Sequence, residues 1–365
     1  MLNNSLKIGK YTVQYPIVQG GMGLGISWDG LAGTVSKEGG LGVISTVGTG
    51  YYEDLKYSKK NITLRPFEVD NFYSKEALIA IVKNARKICG DKPLAANVLY
   101  AINDYGRVVR DVCEAGVDII ITGAGLPTNM PEFTEGYPDV ALVPIVSSAK
   151  ALKIICKRWK QRYDRVPDAV IVEGPLSGGH QGFTYEQCGM DEYQLENLIV
   201  PVLEEIKLWG DFPLIAAGGI WDHEDVEKMI ALGASGVQMG TRFIGTFECD
   251  ANENFKNIII ESTQENIKLF KSPVGYPARG VRTNLIHMVE KKEGPAVKCI
   301  SNCVSPCHRG QEAKEVGYCI ADRLSDAYLG KVNTGLFFTG SNGYKLKEII
   351  SVKELIYKLV NGENS

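Results

Sequence analysis

The sequence predicts an α/β fold: a (β/α)8 TIM barrel with a small C-terminal subdomain. Three observations predict it. Eight short apolar runs recur between Pro16 and Met239, nearly all separated by helical patterns, the alternation that closes a parallel barrel. Three of these runs in succession end in glycine-rich turns, as strands do when their C-terminal ends share one site. No G-x-G-x-x-G sequence occurs, which removes the main attraction of a doubly wound open sheet.

The first strand is Pro16–Gly20, leading into Gly20-Gly21-Met22-Gly23. A helix over Asp29–Lys37 follows, with Asp29 expected as its N-cap, and Gly39-Gly40 stops it. Leu41–Ser45 is the second strand. The segment Thr46–Tyr73, rich in Tyr and Phe, is read either as a lid or as a surface excursion that packs its aromatics on the barrel. Ser74 caps a helix running through Cys89, and Pro93–Leu99 is the third strand, with Asn97 near its end. A helix over Asp104–Ala115 precedes the fourth strand, Asp118–Thr122. Ala141–Val146 is the fifth, its Pro144 tolerable near a strand end.

A helix over Ser148–Arg162 leads to the sixth strand, Ala169–Val172, which runs into Glu173 and the turn GPLSGGHQGF. One helix is expected over Asp191–Trp209, then strand seven, Pro213–Ala217. Asp222 caps the helix Glu224–Leu232, Gly233 ends it, and Gly236–Met239 is strand eight. The barrel is assigned to residues 1–255. Beyond it the pattern breaks down through the Pro-Gly-rich SPVGYPARGVR and the cysteine run KCISNCVSPCHR. Tyr318–Tyr328 reads as a helix, and Ser351 with Glu354 signals the start of a last one. Residues 256–365 are expected to pack on the barrel as a subdomain.

With 365 residues, 44% hydrophobic, the chain can bury a full core, and its net charge of −3 with interspersed signs offers no nucleic-acid surface. No run reaches the apolar length of a membrane helix, and MLNNSLKIGKYTVQYP lacks a signal-peptide core. A cytoplasmic protein with no membrane partner is expected, and a homodimer stays open. Cys89, Cys113 and Cys156 read as small buried hydrophobes. Cys299, Cys303 and Cys307, with His308 and Cys319, have C-x3-C-x3-C-H spacing rather than paired C-x2-C. Buried thiols are therefore preferred to a metal or redox centre.

The chemistry is expected at the strand ends. Gly218-Gly219 and Gly240-Thr241, after strands seven and eight, are placed where barrels commonly hold a phosphate group with backbone N–H groups. A phosphate site and an uncharged barrel interior suit flavin mononucleotide (FMN), with Asn97, Glu173 and Gln238 as polar partners for the ring or ribityl chain. His180 sits between Gly178, Gly179 and Gly182, where an imidazole can reach a bound molecule and titrate near neutrality.

These residues resemble the nitronate monooxygenase family. The matching pieces are PIVQGGMG (16–23), GGLGVIS (39–45), ITGAG (121–125), EGPLSGGHQG (173–182), PLIAAGGI (213–220) and GVQMGTRF (236–243), with YCIADRL and GLFFTGSNGYK in the tail. The resemblance implies a barrel that binds FMN and oxidises alkyl nitronates with O2 to carbonyl compounds and nitrite. It implies cofactor contacts at Gly21, Met22, Asn97, Glu173, Gly178, Gly179, Gly218, Gly219, Gln238, Met239, Gly240 and Thr241. His180 would be catalytic, orienting the nitronate oxygens or deprotonating a neutral nitroalkane, and no metal is implied. Many family members carry Gln where this chain has Glu173. The flavin-dependent enoyl-ACP reductases, which use NAD(P)H, share almost every motif, including EG before GGH. A flavin-binding protein with neither activity is the third reading.

Overall fold

The computed structural model describes residues 2, 4–52, 72–297, 303–305, 307 and 311–362. A hairpin of β1 (Leu6–Ile8) and β2 (Tyr11–Val13) comes first. Eight strands then form one parallel sheet: β3 (Ile17–Gln19), β4 (Gly42–Ser45), β5 (Leu94–Leu99), β6 (Ile119–Gly123), β7 (Ala141–Val146), β8 (Val170–Glu173), β10 (Leu214–Ala217) and β11 (Gly236–Met239). The strand β9 (Gly179–His180) stands outside it. The order is β3-β11-β10-β8-β7-β6-β5-β4, and the two edges meet at Val18 and Leu41. There the Gln19 N–H donates to Leu41 O and the Leu41 N–H to Ile17 O, which closes the ring. Each of the eight expected strands is present, with ends shifted by at most one residue.

The two-residue period of the strands sorts the core into layers. Val18, Val43, Ala95, Ile119, Ile121, Val143, Ile171, Ile215 and Ala217 fill the interior, and Leu6, Ile8 and Val13 of the hairpin join the same cluster. Ile44, Ala96, Val98, Ile120, Leu142, Val172, Ala216 and Val237 face outward against the helices. The covering helices are α1 (Asp29–Lys37), α2 (Lys75–Cys89), α3 (Tyr105–Ala115), α4 (Ala149–Tyr163), α5 (Leu195–Lys207) and α6 (His223–Ala231). Ser74, Ser148 and Asp222 cap α2, α4 and α6, accepting from the N–H groups of Ala77, Ala151 and Asp225. Cys89, Cys113 and Cys156 are buried on such helices, where burial raises their thiol pKa values. Among the described residues no helix is long and apolar enough to cross a membrane.

Two helix expectations need correction. Asp29 is the first residue of α1 rather than its cap. The capping carboxylate comes from Asp250, which accepts from Trp28, Gly30 and Leu31 N–H at 2.8, 3.1 and 3.1 Å. A cap supplied from about 220 residues further along the chain leaves no local sequence signature. The expected helix Asp191–Trp209 is a single turn at Asp191–Tyr193 followed by α5, because Gln194 between them is extended.

Beyond the barrel, the Pro-Gly-rich stretch is a hairpin of β12 (Ile267–Phe270) and β13 (Ala278–Val281). β13 also pairs antiparallel with β9, with Ala278 opposite His180 and Arg279 opposite Gly179. Phe270, Ala278, Leu285, Ile286, Tyr318 and Leu336 form a separate apolar cluster beneath this small sheet. The expected helix near Tyr318 begins at Ile320 and runs to Tyr328. Ser351 caps the last one, Val352–Asn361, accepting from Glu354 N–H. Most of the Thr46–Tyr73 segment, at 53–71, lies outside the described residues, as do Cys299 and His308.

Candidate active site

Continuing the inward row of each strand past the apolar interior brings polar residues to the C-terminal mouth of the barrel. Asn97 follows Ala95 on β5, Glu173 follows Ile171 on β8, and Gln238 follows Gly236 on β11. Gln238 lies opposite Ala217 and Val18, and Glu173 is on the other side of Ala217. Asn97 and Gln238 are buried, while Glu173 keeps part of its surface toward the mouth. Met239 has the opposite parity. Its side chain belongs to the outer layer, and at the mouth it offers only the carbonyl that accepts from Gly20 N–H.

The loop after β3 folds over this ring. A Cβ on Gly21 would lie 2.4 Å from Asn97 Cβ, so only glycine lets the loop approach. Met22 is partly exposed beside Gly240, where an added Cβ would lie 3.3 Å from its Sδ. Gly218 and Gly219 have φ of +98° and +87°, the left-handed region that glycine enters without strain. Gly219, Gly240 and Thr241 keep exposed surface.

The tail completes this cradle. Gly340 N–H donates to Thr241 Oγ1 at 2.8 Å, Ser341 N–H to Leu176 O at 3.0 Å, and the Asn342 side-chain amide to Gly219 O. Gly178 lies under the same segment, where a Cβ would come within 2.6 Å of the Thr339 carbonyl carbon. Sequence reasoning placed no site residue here, although TGSNG inside GLFFTGSNGYK has the small polar character of an anion loop. Two buried oxygens in this region, Gln238 Oε1 and Ser341 Oγ, have no hydrogen-bond partner among the described residues. Buried polar groups are costly when unsatisfied, so such atoms point to a ligand. A glycine cradle, hydroxyls at Thr241 and Ser341, and amides at Asn97 and Gln238 form a neutral donor-rich set that fits a phosphorylated flavin.

His180 follows Gly178 and Gly179 and lies on β9. Its Nε2 lies 2.8 Å from Ser272 Oγ, and its ring meets Phe338 edge-on at 5.3 Å. Phe270 stacks behind Phe338 at 6.3 Å. Burial among these apolar groups lowers the imidazole pKa to about 4, so the ring is neutral near pH 7. The same cause acts oppositely on Glu173, whose pKa is raised to about 7 against the pull of a 3.2 Å hydrogen bond from Ser177 Oγ. Gln181 ties the turn together, donating to Ser177 O and Gly179 O. Arg279, 8% exposed, donates to Pro175 O and holds the same turn from β13. Of the turn's glycines, only Gly179 has a positive φ, +74°. Ser272, Arg279 and Phe338 were missed by sequence reasoning. Among the described residues no His, Cys, Asp or Glu cluster could hold a metal ion.

The nitronate monooxygenase family model matches residues 4–362. A probable nitronate monooxygenase of Staphylococcus saprophyticus is 29% identical over 302 residues, 78% of this chain and 80% of that protein. One from Staphylococcus aureus is 26% identical over 307 residues, 80% and 82% of the two chains. FabK from Thermotoga maritima is similar in structure with a TM-score of 0.71 at 25% identity, over 96% of this chain and 93% of that one. Nitroalkane oxidase from Streptomyces ansochromogenes has a TM-score of 0.66 at 20% identity over 94% of each chain, a likeness of fold alone.

Proposed function

The chain belongs to the nitronate monooxygenase family, and from that premise we propose that it oxidises alkyl nitronates with O2, yielding a carbonyl compound and nitrite, with FMN as its cofactor. The observation that carries the proposal is a neutral histidine at the mouth of a glycine-lined, donor-rich barrel end. A nitronate is an anion, and a neutral imidazole can bind it without a buried counter-charge to desolvate.

Gly218, Gly219, Gly240, Thr241 and Ser341 would hold the cofactor phosphate. Asn97, Gln238 and Glu173 would line its ring system, with Gly21 and Met22 above it and Gly178 and Gly179 at its edge. When bound, FMN supplies the electron acceptor for the nitronate and the route to O2. His180 orients the nitro oxygens. Phe338 and Phe270 give the substrate side an apolar wall that excludes water. Division near residue 255 into an FMN-binding barrel and a C-terminal subdomain packed on it, and a cytoplasmic setting, belong to the same proposal.

A second reading, reduction of an enoyl thioester with NAD(P)H, is favoured by one observation. Glu173 carries a near-neutral carboxyl where many nitronate monooxygenases have Gln. Anaerobic mixing separates the readings. The purified protein is expected to be yellow, and its flavin spectrum should change rapidly with propionate 3-nitronate and not with NADPH. Bleaching by NADPH with no response to nitronate would establish the reductase reading. A yellow protein silent to both would be a flavin-binding protein of neither activity.

A further inference from the structure

We propose that Ser272 is a positioning residue that holds the imidazole proton of His180 on Nδ1, making His180 a hydrogen-bond donor to a preformed anion rather than a base toward a neutral nitroalkane. The inference rests on the functional reading above. It starts from the Ser272 hydroxyl, which is buried at 6% exposure and 2.8 Å from His180 Nε2. A buried hydroxyl hydrogen needs an acceptor. The Ser272 oxygen itself accepts from Val274 N–H at 3.4 Å. Tyr318, next to Ser272, turns its own hydrogen to Lys271 O at 2.8 Å and offers only a phenol oxygen. An imidazole nitrogen lone pair is a much stronger acceptor than a phenol oxygen, so the Ser272 hydrogen goes to Nε2. A neutral ring has one proton, which then resides on Nδ1.

The surroundings keep that arrangement. Nδ1 has no hydrogen-bond partner among the described residues, so it is the nitrogen available to a ligand. The backbone of His180 is fixed by its pairing with Ala278, and its ring by Phe338. The titratable groups near it from the packed elements are Glu173 through Ser177 and Gln181, Tyr318 and Tyr185 on the Ser272 side, and Arg279 on β13. Arg279 is committed to Pro175 O. Burial lowers the basicity of the ring, which argues against proton abstraction from carbon.

The test is ring-nitrogen NMR of the FMN-loaded protein with labelled histidine. The chain has only four histidines, and His180→Gln assigns the relevant signals. The expected spectrum shows His180 protonated on Nδ1 across pH 6 to 8, roughly the range in which an ordinary histidine titrates. Ser272→Ala should shift the proton toward Nε2 and lower kcat/KM for ethylnitronate about tenfold, the scale of one charge-assisted hydrogen bond, with Ser272→Thr restoring both. Wild-type enzyme should turn over ethylnitronate but not nitroethane freshly added at pH 6. A proton on Nε2 in the wild type, or a Ser272→Ala variant with unaltered tautomer and kcat/KM, overturns the inference. If the tautomer is as stated and ethylnitronate is not consumed, the functional reading fails and the positioning role stands.

Discussion

The two walls of the mouth are built by different means. On the barrel wall, each polar residue lies at or near the C-terminal end of a parallel strand that is hydrogen-bonded on both sides, and its direction follows from the pleat. On the tail wall, His180 sits on a two-residue strand whose partner is β13 of the hairpin, and its ring is set by Ser272 and Phe338. The first wall is rigid by construction and suited to hold a large cofactor. The second depends on a few tertiary contacts, and it is the wall where substrate would meet the reacting group. Cofactor binding and substrate chemistry are therefore separable by mutation.

The largest effect should come from the tail wall. His180→Ala is expected to lower kcat/KM for nitronate by about a hundredfold or more, the scale of removing one preorganised donor to a developing charge. FMN content should stay unchanged, as measured by absorbance of the purified variant. Equal loss of FMN would mean the two walls are not separable. Next is the seam between them. Gly178→Ala places a Cβ 2.6 Å from the Thr339 carbonyl carbon and 2.7 Å from Gly340 N, so the tail loop must lift. It should cost about 1–3 kcal/mol in thermal or urea unfolding and weaken FMN binding.

Ser341→Ala tests the cradle with a smaller change. FMN affinity should fall about tenfold, and riboflavin affinity should not, if the hydroxyl serves the phosphate. Fluorescence titration with both flavins reads the difference, and an equal loss would remove Ser341 from the phosphate end. The smallest effect contrasts Glu173 with His180 in pH dependence. Glu173, raised from 4.5 to about 7, contributes stability that is full below pH 4.5 and lost as pH rises through 7. His180, lowered from 6.5 to about 4, contributes stability present above pH 6.5 and lost as pH falls toward 4. The slopes oppose each other between 4.5 and 6.5. Glu173→Gln leaves the His180 slope, so stability should rise more steeply with pH in that window. An ionised Glu173 would repel an anionic nitronate, so wild-type turnover should fall as pH rises through 7 and Glu173→Gln should abolish that fall.

What the sequence made legible follows the same division. Asn97, Glu173 and Gln238 could be found because a polar residue ending an apolar run needs only local pattern to be noticed, and the glycine pairs announce their own turns. Ser272, Arg279 and Phe338 could not, because their importance arises from β9 pairing with β13 across a long stretch of chain. A two-residue strand has no periodicity to detect. The IKLF and ARGV segments of the hairpin are short and separated by prolines, so the turn residues hid the strands. Asp250 is the same lesson in a helix cap, where the donor groups and the carboxylate are near only in space.

The ring closure at β3 has a consequence for how the molecule is made. β3 pairs with β11, and on its other edge it meets β4 through the Val18–Leu41 bridge and the Gln19 side chain, which accepts from Val43 N–H. As the chain leaves the ribosome, Ile17, Val18 and Gln19 emerge early but gain their main partners only when Val237–Met239 have been synthesised. Until then the nascent barrel is an open sheet with an exposed apolar edge, the kind of species that aggregates or engages chaperones. The cofactor cradle at Gly240 and Thr241 is translated immediately after that closing strand, so the protein cannot begin to hold its ligand before its ring can close.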